Sequence, residues 1–269
     1  MPNADFGSLM DVLPGVIADA RLLGAIGTAD QRQQAGHPAG EDGPRPVPLE
    51  RAMLAAEQSS DPLLAPMISN SVAWNYQRQN RLHDAERLAI HAADGVEREH
   101  GSTAAGVRVW GGLLMSAATS AARSGDYDTA NDMMRTAEDA TGRLRKLPPA
   151  VDGKLVSVFS RSSVRIERVR LAVQHERPEE ALHLAKGMRL SADTPPSWRT
   201  WLLLDVARAH TDTGNPEGAV KALESLRRVA PGWMRHHTLA VSIVSDLWAG
   251  ATRPAGLRKL AEFLGVATQ

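Results

Sequence analysis

The stretch Gly125-Asp126-Tyr127-Asp128-Thr129-Ala130 decides the fold. A Gly and an Asp end one helix in a tight turn, an aromatic fills the gap behind it, and a small Ala lets the next helix approach closely. The same grammar returns in Gly214-Asn215-Pro216-Glu217-Gly218-Ala219. More worn copies are Asn80-Arg81-Leu82-His83-Asp84-Ala85 and Glu176-Arg177-Pro178-Glu179-Glu180-Ala181. Four copies of a turn followed by a close-packing Ala make an internal repeat. The flanks have helical periodicity: Leu203, Val206, Ala207 and His210 before one turn, then Ala219, Val220, Leu223 and Leu226 after it, closed by Pro231.

This pattern resembles the tetratricopeptide repeat, whose first helix carries a large residue, a Leu, a small residue and an aromatic. Its second helix carries Ala, an aromatic and Ala, then a terminal Pro. The unit 200–231 matches most fully; 66–93 supplies Tyr76, Ala85 and Ala92, and 111–138 supplies Ala118, Gly125, Tyr127, Ala130 and Ala137. The turn alanines Ala85, Ala130, Ala181 and Ala219 are about 45, 51 and 38 residues apart, against about 34 for the standard unit. The Pro-rich break Lys146-Leu147-Pro148-Pro149 and the loop Ser191-Ala192-Asp193-Thr194-Pro195-Pro196 take up the difference. The expected fold is therefore all-α: antiparallel helix pairs stacked in a right-handed superhelical solenoid with a C-terminal capping helix.

One repeat domain is expected over 1–269, with repeats at about 66–93, 111–138, 162–190 and 200–231 and a cap at 235–265. Leu257, Leu260, Ala261 and Leu264 form the apolar stripe of that cap. The first part, 1–60, is degenerate. Asp5-Phe6 with Leu9, Leu13 and Val16 has the look of a turn and second helix without its first helix. The Gly/Pro-rich segment 34–48 is expected to be a linker that cannot hold a helix, followed by a helical run Leu49–Gln58.

Composition sets the outer limits. Hydrophobic residues make up 43% of 269, close to an ordinary globular domain. No apolar run approaches the roughly 20 residues that cross a bilayer, and Met1-Pro2-Asn3-Ala4-Asp5 lacks the features of a secretory signal. There is no cysteine, which excludes disulfides, thiolate metal sites and a cysteine nucleophile. A cytoplasmic location is expected. Lys and Arg total 31, as do Asp and Glu, whereas nucleic-acid binding calls for a basic excess on one face. Runs such as Glu97-Arg98-Glu99-His100 fit a solvated helix face of alternating charge.

As a whole the chain resembles the C-terminal tetratricopeptide domain of actinobacterial helix-turn-helix transcriptional regulators. The resemblance rests on Asp5 to Leu23, on the run Trp201 to His210, on Ala230-Pro231-Gly232-Trp233-Met234-Arg235-His236-His237, and on Leu257-Arg258-Lys259-Leu260-Ala261. It implies a sensor domain coupled to transcription, here without the DNA-binding helices of that family. Three functions stay open: a sensor or adaptor holding a small molecule or short peptide, a scaffold for a protein partner, and an enzyme of specialised metabolism built on the same scaffold. Neither direct nucleic-acid binding nor membrane attachment is expected, and a homodimer is compatible with the pattern.

No phosphate-binding Gly loop, zinc pattern or nucleophile elbow occurs, so no cofactor or metal is expected. His236-His237 stands just before a helix start with no third ligand. His83, Asp84 and Glu86 fit a turn and a surface. Trp110 and Trp198 fit helix starts, and Trp233 and Trp248 the packing of the cap. Glu167 and Asp205 are single acids that burial and geometry would have to promote to a general base.

In the tetratricopeptide pattern the first helices line the concave face. That resemblance places Asn70, Trp74 and Arg78 there at i, i+4 and i+8, then Met115 and Thr119, then Ser163, Glu167 and Arg170, then Trp201, Leu204 and Arg208. Of these, all but Leu204 are taken as candidate ligand-binding positions. Indoles and guanidinium groups on one face suit an aromatic or anionic ligand.

Overall fold

A turn with the same backbone conformation occurs four times, and the described part of the molecule is organised around it. The computed structural model describes residues 47–148, 159–190, 194 and 196–266. These form twelve helices and no strand. In chain order they are α1 Val47–Glu57, α2 Leu64–Arg78, α3 Leu82–His100, α4 Ala104–Arg123, α5 Tyr127–Leu144 and α6 Arg161–Gln174. Then follow α7 Pro178–Ala185, α8 Pro196–Asp212, α9 Pro216–Val229, α10 Pro231–Arg235, α11 Thr238–Ala249 and α12 Leu257–Leu264. No described helix is long and apolar enough to cross a membrane.

Each turn contains one left-handed residue: Asn80 at φ 59°, Gly125 at 95°, Glu176 at 55° and Gly214 at 68°. Five residues later stands Ala85, Ala130, Ala181 or Ala219, each with 0% exposure. The hydrogen bonds keep the same register. The amide before the left-handed residue closes the outgoing helix: Gln79 to Asn75, Ser124 to Ser120, His175 to Leu171 and Thr213 to Ala209. The buried Ala amide opens the next helix on Arg81, Asp126, Arg177 or Asn215. In three turns a further amide reaches back five residues, Arg81 to Tyr76, Arg177 to Ala172 and Asn215 to His210, which is the Schellman closure. A methyl is all that the next helix can place at the contact.

The chain divides into two compact units. Among the described residues the first comprises 47–124 and 143–148, and the second 125–142, 159–190, 194 and 196–266. In the first unit, α1 packs on α2, α2 on α3, and α4 on both α2 and α3. The stripe Ala85, Ala89, Ala93 and Val96 turns α3 inward, a 3.6-residue period. In α4 burial extends over thirteen of twenty residues, which makes it the unit's central helix. The connection from α3 is tight, since a Cβ on Gly106 would lie 2.1 Å from the His100 carbonyl oxygen. Thr103 caps α4 by accepting from the Gly106 amide. Arg143 donates to Glu97 at 3.0 Å and to the Gly101 carbonyl at 2.8 Å, and its guanidinium lies 4.9 Å from the Trp110 ring centre.

In the second unit, α8 is apolar on two sides. Leu204 and Ala207 enter a core with Leu223, Leu226, Ile243 and Leu260, while Leu202 and Ala209 enter another with Ile166 and Val169. Residues two apart on a helix point about 200° from each other, so one helix serves both. A helix pair from α6 and α7 packs on one side of it and α9 on another.

Three expectations change. Helix α1 begins at Val47, inside the segment expected to be a linker. A proline is tolerated in the first turn, where its missing N–H has no intrahelical acceptor. The cap holds two helices, α11 and α12, after the short α10. The break between them contains Gly250, Pro254 and the left-handed Gly256. Trp110 lies in the second turn of α4, 5% exposed, and not at its start. The readings of Asp5 to Leu23 and of 34–46 lie outside the described residues.

A Cβ on Gly214 would meet nothing within 4 Å, so Gly214→Ala tests backbone conformation alone. It is expected to lower the unfolding free energy by about 1 kcal/mol, and Ala219→Leu by about 1–3 kcal/mol through overpacking. Urea unfolding of the two variants checks both values.

Candidate functional site

The ten candidate positions divide between the units: Asn70, Trp74, Arg78, Met115 and Thr119 in the first, Ser163, Glu167, Arg170, Trp201 and Arg208 in the second. In the first unit, α2 carries an exposed indole. Trp74 is 38% exposed, and the Arg78 guanidinium lies 5.2 Å from its ring centre. Arg123, at the end of α4, donates to the Gln77 carbonyl at 2.8 Å. Burial, and then the like charge of Arg78, pull the Arg123 pKa below the usual guanidinium value. Arg78 is thus the common neighbour of an indole and a second guanidinium.

The other first-unit positions serve the scaffold. Met115 is 6% exposed and belongs to the core. The Thr119 hydroxyl donates to the Met115 carbonyl at 2.9 Å within α4. Asn70 has a buried Oδ1 with no hydrogen-bond partner among the described residues. Gln77, unremarkable in sequence, is the seam between α2 and α4: its amide donates to the Ser116 carbonyl and the Ser120 hydroxyl, each at 2.9 Å.

In the second unit a charge cluster forms on α6 and α8. Arg170 Nη1 is 3.3 Å from Glu167 Oε2, and Arg170 Nε is 3.6 Å from Asp205 Oδ2. Both carboxylates are buried, Glu167 at 4% and Asp205 at 5% exposure. Burial opposes the Arg170 charge, but Glu167 and Asp205 outweigh it and raise its pKa. Two carboxylates thus share one guanidinium, and a single proton would neutralise the cluster. Asp205 takes that proton, its pKa pushed up to about 7 by burial and by Glu167 against the pull of Arg170.

Aromatic rings border this cluster. The Arg170 guanidinium stands 4.8 Å from the Trp201 ring centre. Trp201 meets Trp233 edge-on at 5.3 Å and His237 at 4.9 Å, and Trp233 and His237 lie 4.4 Å apart. Burial lowers the His237 pKa to about 4, and its Nδ1 is buried without a partner among the described residues. Ser163 is occupied locally. It completes a capping box with Ser160 at the start of α6. Arg208 reaches away from the cluster, pairing with Asp212 at 2.6 Å and Asp246 at 2.9 Å.

A cavity of about 510 Å³ lies in the first unit, between α1, α2 and α3. Val72, Asn75 and Tyr76 line it from α2, not the 70-74-78 face that the repeat pattern singles out. Arg81, Asp84 and Arg87 stand at its edge, residues of the kind expected merely to fill a turn and a surface. No family model matches the chain, and neither does any curated protein or solved structure.

The two shifted groups act on stability with opposite signs. Native Asp205 holds a proton between pH 3.8 and about 7 that the unfolded chain releases, so its effect is a loss of stability as pH rises through that window. Native His237 refuses a proton between pH 6.5 and about 4, so its effect is a loss of stability as pH falls through it. They offset each other between about pH 4 and 6.5. His237→Gln is expected to unmask the Asp205 slope, on the order of a few kcal/mol less stability at pH 7.5 than at pH 4.5. Asp205→Asn should leave the opposite slope, and urea unfolding across pH 4.5–7.5 reads both.

Proposed function

We propose that this chain is a helical-repeat binding module of the tetratricopeptide type, a sensor or adaptor that holds a small molecule or short peptide on its first-helix face. The solenoid arrangement belongs to the same proposal. Its support is the shared register of the four turns and their buried alanines, together with the likeness to regulator sensor domains.

The observation that carries the binding reading is Trp74 with Arg78 and Arg123. An indole that large, left 38% exposed with a guanidinium against it, contributes little to the core. Two guanidiniums close enough for one to depress the other's pKa favour an anion between them. A ligand with a carboxylate beside an aromatic or apolar body fits that face. The balanced net charge of zero argues against a polynucleotide.

A second reading, an enzyme on this scaffold, is favoured by Asp205. A carboxyl poised near neutrality beside another carboxylate and an arginine has the attributes of a general acid or base.

Native mass spectrometry on the full chain, purified gently from its own host, separates these readings. The expected result is a bound small molecule or peptide that is lost from the Trp74→Ala/Arg78→Ala double variant and kept by Asp205→Asn. A bare chain, or a ligand retained by the double variant, overturns the placement. Turnover of the bound compound that Asp205→Asn abolishes moves the assignment to the enzyme.

A further inference from the structure

The cavity between α1, α2 and α3 lies off the first-helix face and has chemistry of its own. Four aliphatic side chains make up much of its lining, with Asn75, Tyr76 and His91 beside them. Leu49 and Met53 face it from α1, Val72 from α2 and Leu88 from α3, the first two one helical turn apart. At about 510 Å³ it falls within the range of small-molecule sites. Of the two rings in the described lining, Tyr76 and His91, the larger already has the Arg81 guanidinium 4.2 Å from its centre. An aliphatic body therefore matches the walls better than a stacked ring, and Met53 can adapt to its shape.

The edge of the cavity is cationic. Among the described lining residues Asp84 is the one carboxylate, and two guanidiniums converge on it. Arg81 holds Asp84 Oδ2 through Nε at 2.9 Å and Nη2 at 2.8 Å. Arg87 Nη2 meets Oδ1 at 2.5 Å. Asp84 thus neutralises one of the two cations. Arg87 is the more accessible, 79% exposed along its side chain. Its bond to Asp84 uses one nitrogen, whereas a guanidinium offers five N–H donors in a plane. The remaining donors stand at the cavity mouth, where a second carboxylate can take them bidentately.

We propose that this cavity is a binding site for a small aliphatic carboxylate, its chain against Leu49, Met53, Val72 and Leu88 and its head group on Arg87. The site is separate from the Trp74 face and does not depend on what that face binds. Asp84 acts as a template, fixing the Arg87 plane without cancelling both charges.

The probe is decanoate, titrated calorimetrically into the full chain below its micelle concentration, with decanol and decylamine as neutral and cationic analogues of equal length. The expected result is saturable one-to-one binding of decanoate, at least about tenfold tighter than either analogue. Arg87→Glu, at an exposed position, should weaken decanoate at least about tenfold with the circular dichroism spectrum unchanged. Arg258→Glu, equally exposed and in the other unit, should leave it alone. No saturable decanoate binding overturns the proposal, as does equal affinity for decanol. Equal loss in Arg87→Glu and Arg258→Glu would reduce the effect to net charge and overturn it as well.

Discussion

The described structure depends on how closely one helix can approach another just after a turn. In each of four turns a left-handed residue reverses the chain, and five positions later stands an alanine with no exposed surface; at Ala85, Ala181 and Ala219 the two helices joined by the turn pack on each other. That approach is short because the side chain is short, so dispersion contacts extend along the following helix. The hydrogen bonds of each turn satisfy carbonyls that the outgoing helix would otherwise leave open. Glu176 adopts the left-handed conformation without a glycine's freedom, a local cost that packing at Ala181 offsets. Backbone strain and core packing are therefore one constraint in this chain, imposed at regular intervals.

Much of the architecture was legible because this constraint leaves residues behind. Gly125 and Gly214 announce their turns, and the alanines five positions on are readable even where Asn80 and Glu176 replace the glycine. Boundaries were less legible. Nothing local says that Val47 and Pro48 begin a helix, since a proline in the first turn and a proline in a linker look alike. The division into two compact units left no mark in the repeat grammar, because both use the same turns.

The site was legible by face but not by depth. Helical spacing places Asn70, Trp74 and Arg78 on one stripe, but only packing separates an exposed Trp74 on α2 from a buried Met115 on α4. Glu167, Arg170 and Trp201 share the expected face, yet Arg170 also pairs with Asp205, so that two carboxylates share a single guanidinium. That relation crosses from α6 to α8 and has no sequence signature. The ring of His237 is a similar case: its neighbours Trp201 and Trp233 lie on different helices. Charge pairs across helices, and cavities between them, are properties of packing and not of period.

Helix α8 has apolar contacts on two sides and carries Asp205 between them. With cores packed on both sides, its central amides are expected to exchange with solvent chiefly through cooperative opening of the surrounding unit. The cluster is thereby tied to that cooperative opening. A change in the occupancy of one carboxyl proton is then transmitted as a change in the opening rate of many residues, most of which bear no charge.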